Sequence, residues 1–282
     1  MKVAIFPNFQ KRNALECARE VCDILHSIGA EVHIDESYLK EFSDKKFVHF
    51  GLFDNFVGNA DIAVAIGGDG TILKCAKHIV SCNTKLLGVN TGRLGFMASL
   101  EYDQLSLLEC LKTGSYNISE RMMLEISMDN KSKSFHALND VTVSGRYAKI
   151  CDFDVFADSS HIGKYRADGA VFSTPTGSTA YSLSAGGPII EPDAECIEMT
   201  LICPHSLFAR PIIFSSDRVI EFVHDSDRNP ELFVSIDGND PIKLERGVRV
   251  SIKKSELKIS LINIDGRSFY NTLDRKLMHP IK

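Results

Sequence analysis

Gly67-Gly68-Asp69-Gly70 places a carboxylate inside a glycine turn, directly after the apolar run Ile62-Ala63-Val64-Ala65-Ile66 and before the helix-like segment Thr71-Ile72-Leu73-Lys74-Cys75-Ala76. A strand, a glycine turn and a helix start make a phosphate cradle, because glycines let backbone N–H groups approach and a helix N-terminus favours negative charge. Asp69 works against that use. It would repel a phosphate by on the order of 1–4 kcal/mol at about 4 Å in polar surroundings. The turn also lacks the Lys-Ser/Thr pair of a P-loop and the G-x-G-x-x-G spacing of a dinucleotide fold. The conflict disappears if Asp69 faces an acceptor hydroxyl at the phosphate's edge and takes its proton as the phosphorus–oxygen bond forms, while a divalent cation screens the phosphates. On the same residues Asp69 is equally a helix cap, a role in which Asp is favoured. The four residues alone leave both readings open.

A second concentration of polar chemistry runs from Arg166 through Asp168-Gly169 and Ser173-Thr174-Pro175-Thr176-Gly177-Ser178-Thr179-Ala180-Tyr181-Ser182-Leu183-Ser184 to Pro188. Small donors and acceptors, one charged pair and one ring suit a nucleoside: hydroxyls and backbone groups meet base edges and ribose, and Tyr181 offers a face. The same composition also describes a Ser/Gly-rich loop with no ligand. His205 stands beside Pro204, a setting for a structural turn. The nine histidines form no H-x-x-x-H pattern, and the eight cysteines form no C-x-x-C pair, so buried thiols and no structural metal site are expected. Any metal should be Mg²⁺ or Mn²⁺ arriving with the phosphate donor, bound largely through phosphate oxygens and water.

The elements that must position these groups change type along the chain. Residues 3–6 are continuously apolar, Leu15, Ala18, Cys22 and Leu25 recur at helical spacing, and Gly29 stops that helix before Glu31-Val32-His33-Ile34, giving a β-α-β unit. Residues 36–59 carry Phe42, Phe47, Phe50, Phe53 and Phe56 without a clean period and read as helix or loop. Residues 62–66 and 85–90 are apolar enough to be parallel strands covered on both faces. Their following loops would share one crevice beyond the carboxyl ends of the strands. After residue 113 strand patterns take over, with candidates at 123–128, 141–143, 151–155, 219–223, 232–236, 248–252 and 257–264. The expectation is α/β plus all-β: an N-terminal Rossmann-like parallel-sheet domain over 1–113, joined by a helical tail at 265–282, and a C-terminal β-rich domain over 114–264.

Bulk composition narrows the function classes. At 282 residues, 44% hydrophobic and 24% charged, the chain can bury a sizeable core. A net charge of −5 gives no basic field for nucleic acid. The opening apolar run is stopped by Pro7, well short of a signal or membrane segment, so a cytoplasmic protein with no membrane association is expected.

Taken together, these stretches resemble the NAD kinase family. The matching segments are Gly67-Gly68-Asp69-Gly70-Thr71, Asn90-Thr91-Gly92-Arg93-Leu94-Gly95-Phe96, Asn139-Asp140, Asp168-Gly169, residues 174–188, Cys203-Pro204-His205-Ser206-Leu207 with Arg210-Pro211, and Asp237-Gly238, in the family's order. The first is shared with diacylglycerol, sphingoid and phosphofructokinases; Thr174-Pro175-Thr176-Gly177-Ser178-Thr179-Ala180-Tyr181 is specific. The resemblance implies a dimer or tetramer that transfers the terminal phosphate of ATP, or of another nucleotide or polyphosphate, to the 2′-hydroxyl of NAD bound between the domains. By position, Asp69 looks like the proton acceptor, and Gly67, Gly68 and Gly70 like the donor site. Thr71, Lys74 and Arg93 fall within the binding set. Asn139 and Asp140 look like adenosine contacts, Arg166 and Asp168 like contacts at the nicotinamide end, and Thr179, Ala180, Tyr181, Ser182, Leu183 and Ser184 like the wall around the dinucleotide. Lys149 is assigned a phosphate contact. Asp140 stands where the family usually has Glu, and Asn239 where Gln often follows Asp-Gly, so both reach less far. Two other readings are a lipid kinase built on the shared glycine loop, which the polar 174–181 stretch disfavours, and a non-catalytic NAD(P) sensor, which an intact Asp69 disfavours.

Overall fold

The computed structural model describes residues 1–92, 95–206, 209–224 and 231–278. The chain forms two units, Met1–Glu120 with Ile259–Lys282, and Arg121–Lys258. One is α/β and the other all-β, as the residue patterning anticipates.

The first unit contains β1 (Lys2–Pro7), α1 (Ala14–Ser27), β2 (Glu31–Asp35), β3 (Val48–Gly51), α2 (Phe53–Phe56), β4 (Ile62–Gly67), α3 (Asp69–Ile79), β5 (Lys85–Asn90) and β6 (Leu100–Glu101). Its sheet runs β3-β2-β1-β4-β5, all parallel, and Leu261 from late in the chain pairs in parallel with Leu86. Large and small residues alternate along β4, and this sets the layers. Ile62, Val64 and Ile66 join Val3, Ile5, Val32 and Ile34 in a core shared with Cys17, Ala18, Val21, Cys22 and Leu25 of α1. Ala63, Ala65 and Gly88 take the opposite face, against α3. A Cβ on Gly88 would lie 2.4 Å from Ile72 Cδ1, so its bare Cα is what lets α3 approach.

Strand order reverses between β1 and β4, since the chain first moves outward to β2 and β3 and then returns on the other side of β1. Open α/β sheets bind ligands beyond the carboxyl ends of their strands at such a point. Asn8, just past β1, is tied to the end of β4 there, its N–H donating to Ile66 O at 2.9 Å.

The second unit is a sandwich of antiparallel strands. It takes in most of β7 (Asn117–Met128), then β8 (Phe135–Ala137), β9 (Asp140–Gly145), β10 (Cys151–Ala157), β11 (Ser160–Ala167), β12 (Gly169–Ser173), α4 (Tyr181–Ser184), β13 (Cys196–Ile202), β14 (Ile212–Ser215), β15 (Ile220–Val223), β16 (Leu232–Ile236), β17 (Ile242–Leu244) and most of β18 (Arg249–Asn263). One sheet runs β14-β13-β12-β9-β16-β17; β11, β10, β15 and β18 form another layer. Between them lie Leu124, Ile126, Val141, Val143, Phe153, Phe172, Met199, Phe222 and Val234. A short helix, α5 (Phe269–Leu273), begins the tail in the first unit and continues as a wider helical turn over Asp274–Met278.

Two expectations are corrected. Residues 36–59, expected as helix or loop, do hold the short helix α2 but also a strand, β3, whose four residues bury only Val48 fully and so leave no alternation to read. The separate strands expected at 248–252 and 257–264 are one strand, β18. Its central Lys253-Lys254-Ser255-Glu256 resembles a turn in composition, yet Lys253 and Lys254 pair with Glu125 and Glu195 at 3.4 and 2.6 Å on the solvent side. All eight cysteines are free, with Cys17, Cys22, Cys75 and Cys151 buried, Cys82, Cys110 and Cys196 half-buried, and Cys203 exposed.

Candidate active site

In the first unit Gly68, not Asp69, holds the cap position of α3. The Asp69 carboxylate turns away from its own helix: Oδ2 accepts the Phe96 N–H at 2.8 Å, and Oδ1 accepts that of Met97 at 3.2 Å. Gly95 makes room for this, because a Cβ there would lie 2.1 Å from Asp69 Oδ1. Lys276 brings its ammonium within 4.0 Å of Asp69 Oδ2 and 4.1 Å of the Phe96 ring centre. Each carboxylate oxygen can accept a further hydrogen bond, and the side chain remains 28% exposed. Asp69 is thus a fixed, reachable acceptor rather than a cap.

The surrounding turn is shaped for a ligand of opposite demands. A Cβ on Gly67 would fall 2.3 Å from Thr71 Oγ1, whereas Gly68 and Gly70 face open space. Thr71 Oγ1 accepts from Asn8 Nδ2 at 3.3 Å and from the Gly68 N–H at 3.4 Å. Thr91 donates its N–H to Gly67 O at 2.9 Å, and its buried hydroxyl has no partner among the described residues. Lys74 is exposed, with no ion-pair partner among the described residues, and lines a cavity of about 480 Å³ with Asn8, Phe9, Tyr38 and Thr71.

In the second unit Asp237 and Gly238 have φ of 48° and 67°, and Asn239 N–H reaches Ile236 O at 3.1 Å. These are the two left-handed residues of a type I′ turn, which Asp-Gly favours. The turn aims the Asp237 carboxylate at three backbone N–H groups: Leu138 at 2.9 Å, Asn139 at 2.8 Å and Asp140 at 3.2 Å. Thr174 holds the same loop from the other side, donating its hydroxyl to Leu138 O at 2.6 Å and its N–H to Asn139 O at 2.9 Å. Gly177 presses on it so closely that a Cβ would lie 2.1 Å from Asn139 O. Within this frame Asn139 Oδ1 and Thr176 Oγ1 are buried without partners among the described residues. Unpartnered buried polar atoms are costly and call for a ligand or water. Burial, and then the nearby Asp237 charge, push the Asp140 carboxyl up to about 7 against a weaker opposing hydrogen bond from Thr142.

Glu198 is wholly buried beneath the hydroxyl-rich segment. It accepts from Ser173 at 2.9 Å, Ser182 at 2.7 Å and Thr200 at 2.7 Å, and a Cβ on Gly187 would meet its Oε1 at 2.1 Å.

Residues 3–113 match the family model described as the ATP-NAD kinase N-terminal domain, and residues 138–264 match the ATP-NAD kinase C-terminal domain. This chain belongs to the NAD kinase family. It is accordingly a phosphotransferase. An NAD kinase from Christiangramia forsetii is 36% identical over 99% of this chain and 98% of its own length, and one from Caldanaerobacter subterraneus subsp. tengcongensis is 36% identical over 98% of each. Among solved structures, a yeast NADH kinase complexed with NADH has a TM-score of 0.88 at 24% identity, covering 100% of this chain and 89% of that one. An NAD kinase from Archaeoglobus fulgidus in complex with ATP has a TM-score of 0.77 at 24% identity, covering 100% of each. At that identity the two structures speak for the fold alone.

Against this NAD kinase framework the expected site residues fall into groups. Gly67, Gly68, Asp69, Gly70, Thr71 and Lys74 are together on the first unit's turn and helix. Asn139 and Asp140 are together on the second unit's clamped loop. Thr179 and Ala180 are half-buried, while Tyr181 and Ser184 are exposed. Ser182 is fully buried with its hydroxyl committed to Glu198, and Leu183 is half-buried. Arg166 is exposed, with its Nε 3.9 Å from Asp152; Asp168 is half-buried; and Lys149 is exposed. The Asn239 amide donates to Ile236 O at 2.5 Å, closing its own turn. Arg93 lies outside the described residues. Sequence reasoning missed Asn8, Lys276, Asp237 as a clamp and Glu198, and it quoted Thr91 and Thr176 only within longer stretches, without a role of their own. The Asp237-Gly238 motif was the one available signal for the clamp. Among the described residues no three His, Cys, Asp or Glu side chains are grouped to hold a metal, and no helix is long and apolar enough to cross a membrane.

Proposed function

We infer that the chain transfers the terminal phosphate of ATP to the 2′-hydroxyl of the adenosine ribose of NAD, giving NADP, with Asp69 as general base. The observation that carries this reading is the Asp69 carboxylate, held by the Phe96 and Met97 amides beside an open glycine turn instead of capping its helix. In the reaction the ribose O2′ bonds to the γ-phosphorus, the bond to the β,γ-bridging oxygen breaks, the hydroxyl proton passes to Asp69, and ADP leaves. The donor phosphates are assigned to Gly67, Gly68, Gly70, Thr71, Thr91 and Lys74. The adenosine is assigned to Asn139, Asp140 and Thr176, the wall to residues 179–184, the nicotinamide end to Arg166 and Asp168, and a phosphate contact to Lys149. With one carboxylate and hydroxyls at the turn, the donor set suits Mg²⁺ or Mn²⁺ carried by ATP and bound mainly through phosphate oxygens and water. When bound, the cation neutralises charge on the β- and γ-phosphates. The functional halves are taken as 1–113 with 265–282, and 114–264. The family resemblance supports a cytoplasmic homodimer or homotetramer.

Purified protein with NAD, ATP and Mg²⁺ should form NADP, and Asp69→Asn should lower kcat by about 10²–10⁴-fold. Near-normal turnover in a folded Asp69→Asn variant would remove Asp69 from the base role.

A further inference from the structure

After β18 the chain runs on within the first unit as a polar tail, and Arg267 and Arg275 fix where it lies. Arg267 donates to Glu101 Oε1 at 2.8 Å and to Gln104 Oε1 at 3.0 Å and pairs with Asp265, while Arg275 lies 3.2 Å from the same Glu101 oxygen. Glu101 and Gln104 follow closely on Phe96 and Met97, whose amides hold Asp69. The tail is therefore tied to the segment that places the carboxylate. Phe269 and Lys276 both bear on the Phe96 ring, the Phe269 ring centre at 6.2 Å and the Lys276 ammonium at 4.1 Å. Lys276 stands on the wider helical turn Asp274–Met278, a rare form that is frequent at functional sites.

The lysine held in this way stands beside Asp69. Its Nζ lies 4.0 Å from Asp69 Oδ2, beyond hydrogen-bond reach, and its three N–H donors have no hydrogen-bond partner among the described residues. A partly exposed ion pair at that distance adds little to stability, so folding does not account for it. The chemistry at Asp69 does. A hydroxyl handing its proton to a carboxylate lies about 2.6–3.2 Å from it, and the phosphorus it attacks lies about 3–3.5 Å further on. The transferring phosphoryl group is thus within roughly 6–7 Å of Asp69, and a flexible four-carbon stem lets an ammonium already at Asp69 meet its oxygens. The glycine turn carries no lysine of its own, and Lys74, on α3, lines the cavity with Asn8 and Tyr38. Lys276 brings from the far end of the chain the cation that the turn lacks.

We propose that Lys276 is a further catalytic residue, donating hydrogen bonds to the transferring phosphoryl oxygens and offsetting the charge that Asp69 brings to an anion-binding turn. The inference rests on the phosphotransfer reading of that turn and adds a second side chain to it. The bond from the ribose O2′ to the γ-phosphorus forms, the bond to the β,γ-bridging oxygen breaks, the hydroxyl proton passes to Asp69 and ADP leaves. Lys276 transfers no proton. A cation fixed at the transferring group acts mainly in the transition state, so its loss falls on turnover more than on ATP binding.

Steady-state kinetics and calorimetry on the full chain test this. Lys276→Gln should lower kcat by about 10²–10³-fold, with KM for NAD and the calorimetric Kd for Mg²⁺-ATP within about threefold of wild type. Lys276→Arg keeps the charge and should recover most of the loss. Butylammonium added to Lys276→Ala should raise its kcat where butanol does not, because a free cation cannot replace a lysine that only braces the tail. Mg²⁺-ADP with aluminium fluoride, a mimic of the transferring phosphoryl group, gives a reading without turnover: Lys276→Gln should weaken it by about tenfold or more and leave Mg²⁺-ADP alone unchanged. A kcat for Lys276→Gln equal to or above that of the wild type overturns the assignment. So does a loss confined to Mg²⁺-ATP affinity, or one that neither arginine nor butylammonium reduces. If the wild type makes NADP and Lys276→Gln does so equally well, Lys276 falls and the Asp69 reading stands. If the wild type makes no NADP but the aluminium fluoride effect is present, the NAD reading falls and Lys276 stands. A wild type that shows neither overturns both.

Discussion

Replacing Asp140 by Asn keeps the side chain's size and removes its ionisation, which makes it a direct probe of the clamped loop. The Asp140 carboxyl titrates at about 7 in the folded protein against 3.8 for an unperturbed Asp. Between those values the folded state holds a proton that the unfolded state has released, so stability falls as pH rises through this window. At about 1.36 kcal/mol per unit, keeping the ionised side chain in the ligand-free protein costs about 4 kcal/mol well above pH 7, of which about 2 kcal/mol accumulates between pH 5 and 7. Asp140→Asn has no such slope. Denaturant titrations of both proteins without ligand at pH 5, 6, 7 and 8 should show the variant gaining on the wild type by about 2 kcal/mol from pH 5 to 7, then levelling. A difference that stays constant across this range would show that Asp140 does not titrate near neutrality, and the burial argument would fail. On the proposed adenosine assignment Asp140→Asn also weakens NAD binding, because the amide keeps one acceptor oxygen where the carboxylate offers two charged ones to ribose hydroxyls.

Two further substitutions probe other contacts. Gly95→Ala places a methyl 2.1 Å from Asp69 Oδ1, so the carboxylate must shift by about 1 Å to restore contact distance; a misplacement of that size costs about 10²-fold in rate. Steady-state kinetics should show the loss in kcat with KM for NAD nearly unchanged, and an unaltered kcat would mean that the Phe96 and Met97 contacts do not position Asp69. Glu198→Gln leaves an acceptor pair one short for the hydroxyls of Ser173, Ser182 and Thr200, and should destabilise the protein by about 1–3 kcal/mol in urea while raising KM for NAD more than KM for ATP. Unchanged stability would show that the three hydroxyls find other partners.

Much of the first unit is legible in its residue order because its cues are local. Gly29 ends a helix, the large–small alternation of residues 62–66 assigns two faces to one strand, and a glycine turn follows where the strand stops. The position of Asp69 at a turn was readable for the same reason. What it bonds to was not, because Phe96 and Met97 approach it through their backbones, and any sequence presents an N–H there. Lys276 comes from 207 positions along the chain and resembles any other lysine of a polar tail. Glu198 was hidden in a different way. A lone Glu within an apolar strand reads as a solvent-facing residue, and its burial is intelligible only once Ser173, Ser182 and Thr200 are seen converging on it. Likewise the hydroxyls of Thr174, Ser178 and Ser182, read from composition as surface for a nucleoside, are spent inside the unit, and Thr176 is the buried one left open.

If the proposed adenosine assignment holds, the Asp237 turn sets how a dinucleotide is received. One short carboxylate quenches three amide dipoles of the Leu138, Asn139 and Asp140 loop, so the loop is immobilised at folding and not at the moment of capture. A molecule arriving there loses little affinity to ordering its host. The converse is intolerance: a surface already set cannot remould itself around an acceptor that differs by one substituent, and selection between such acceptors becomes a matter of steric match with a rigid template.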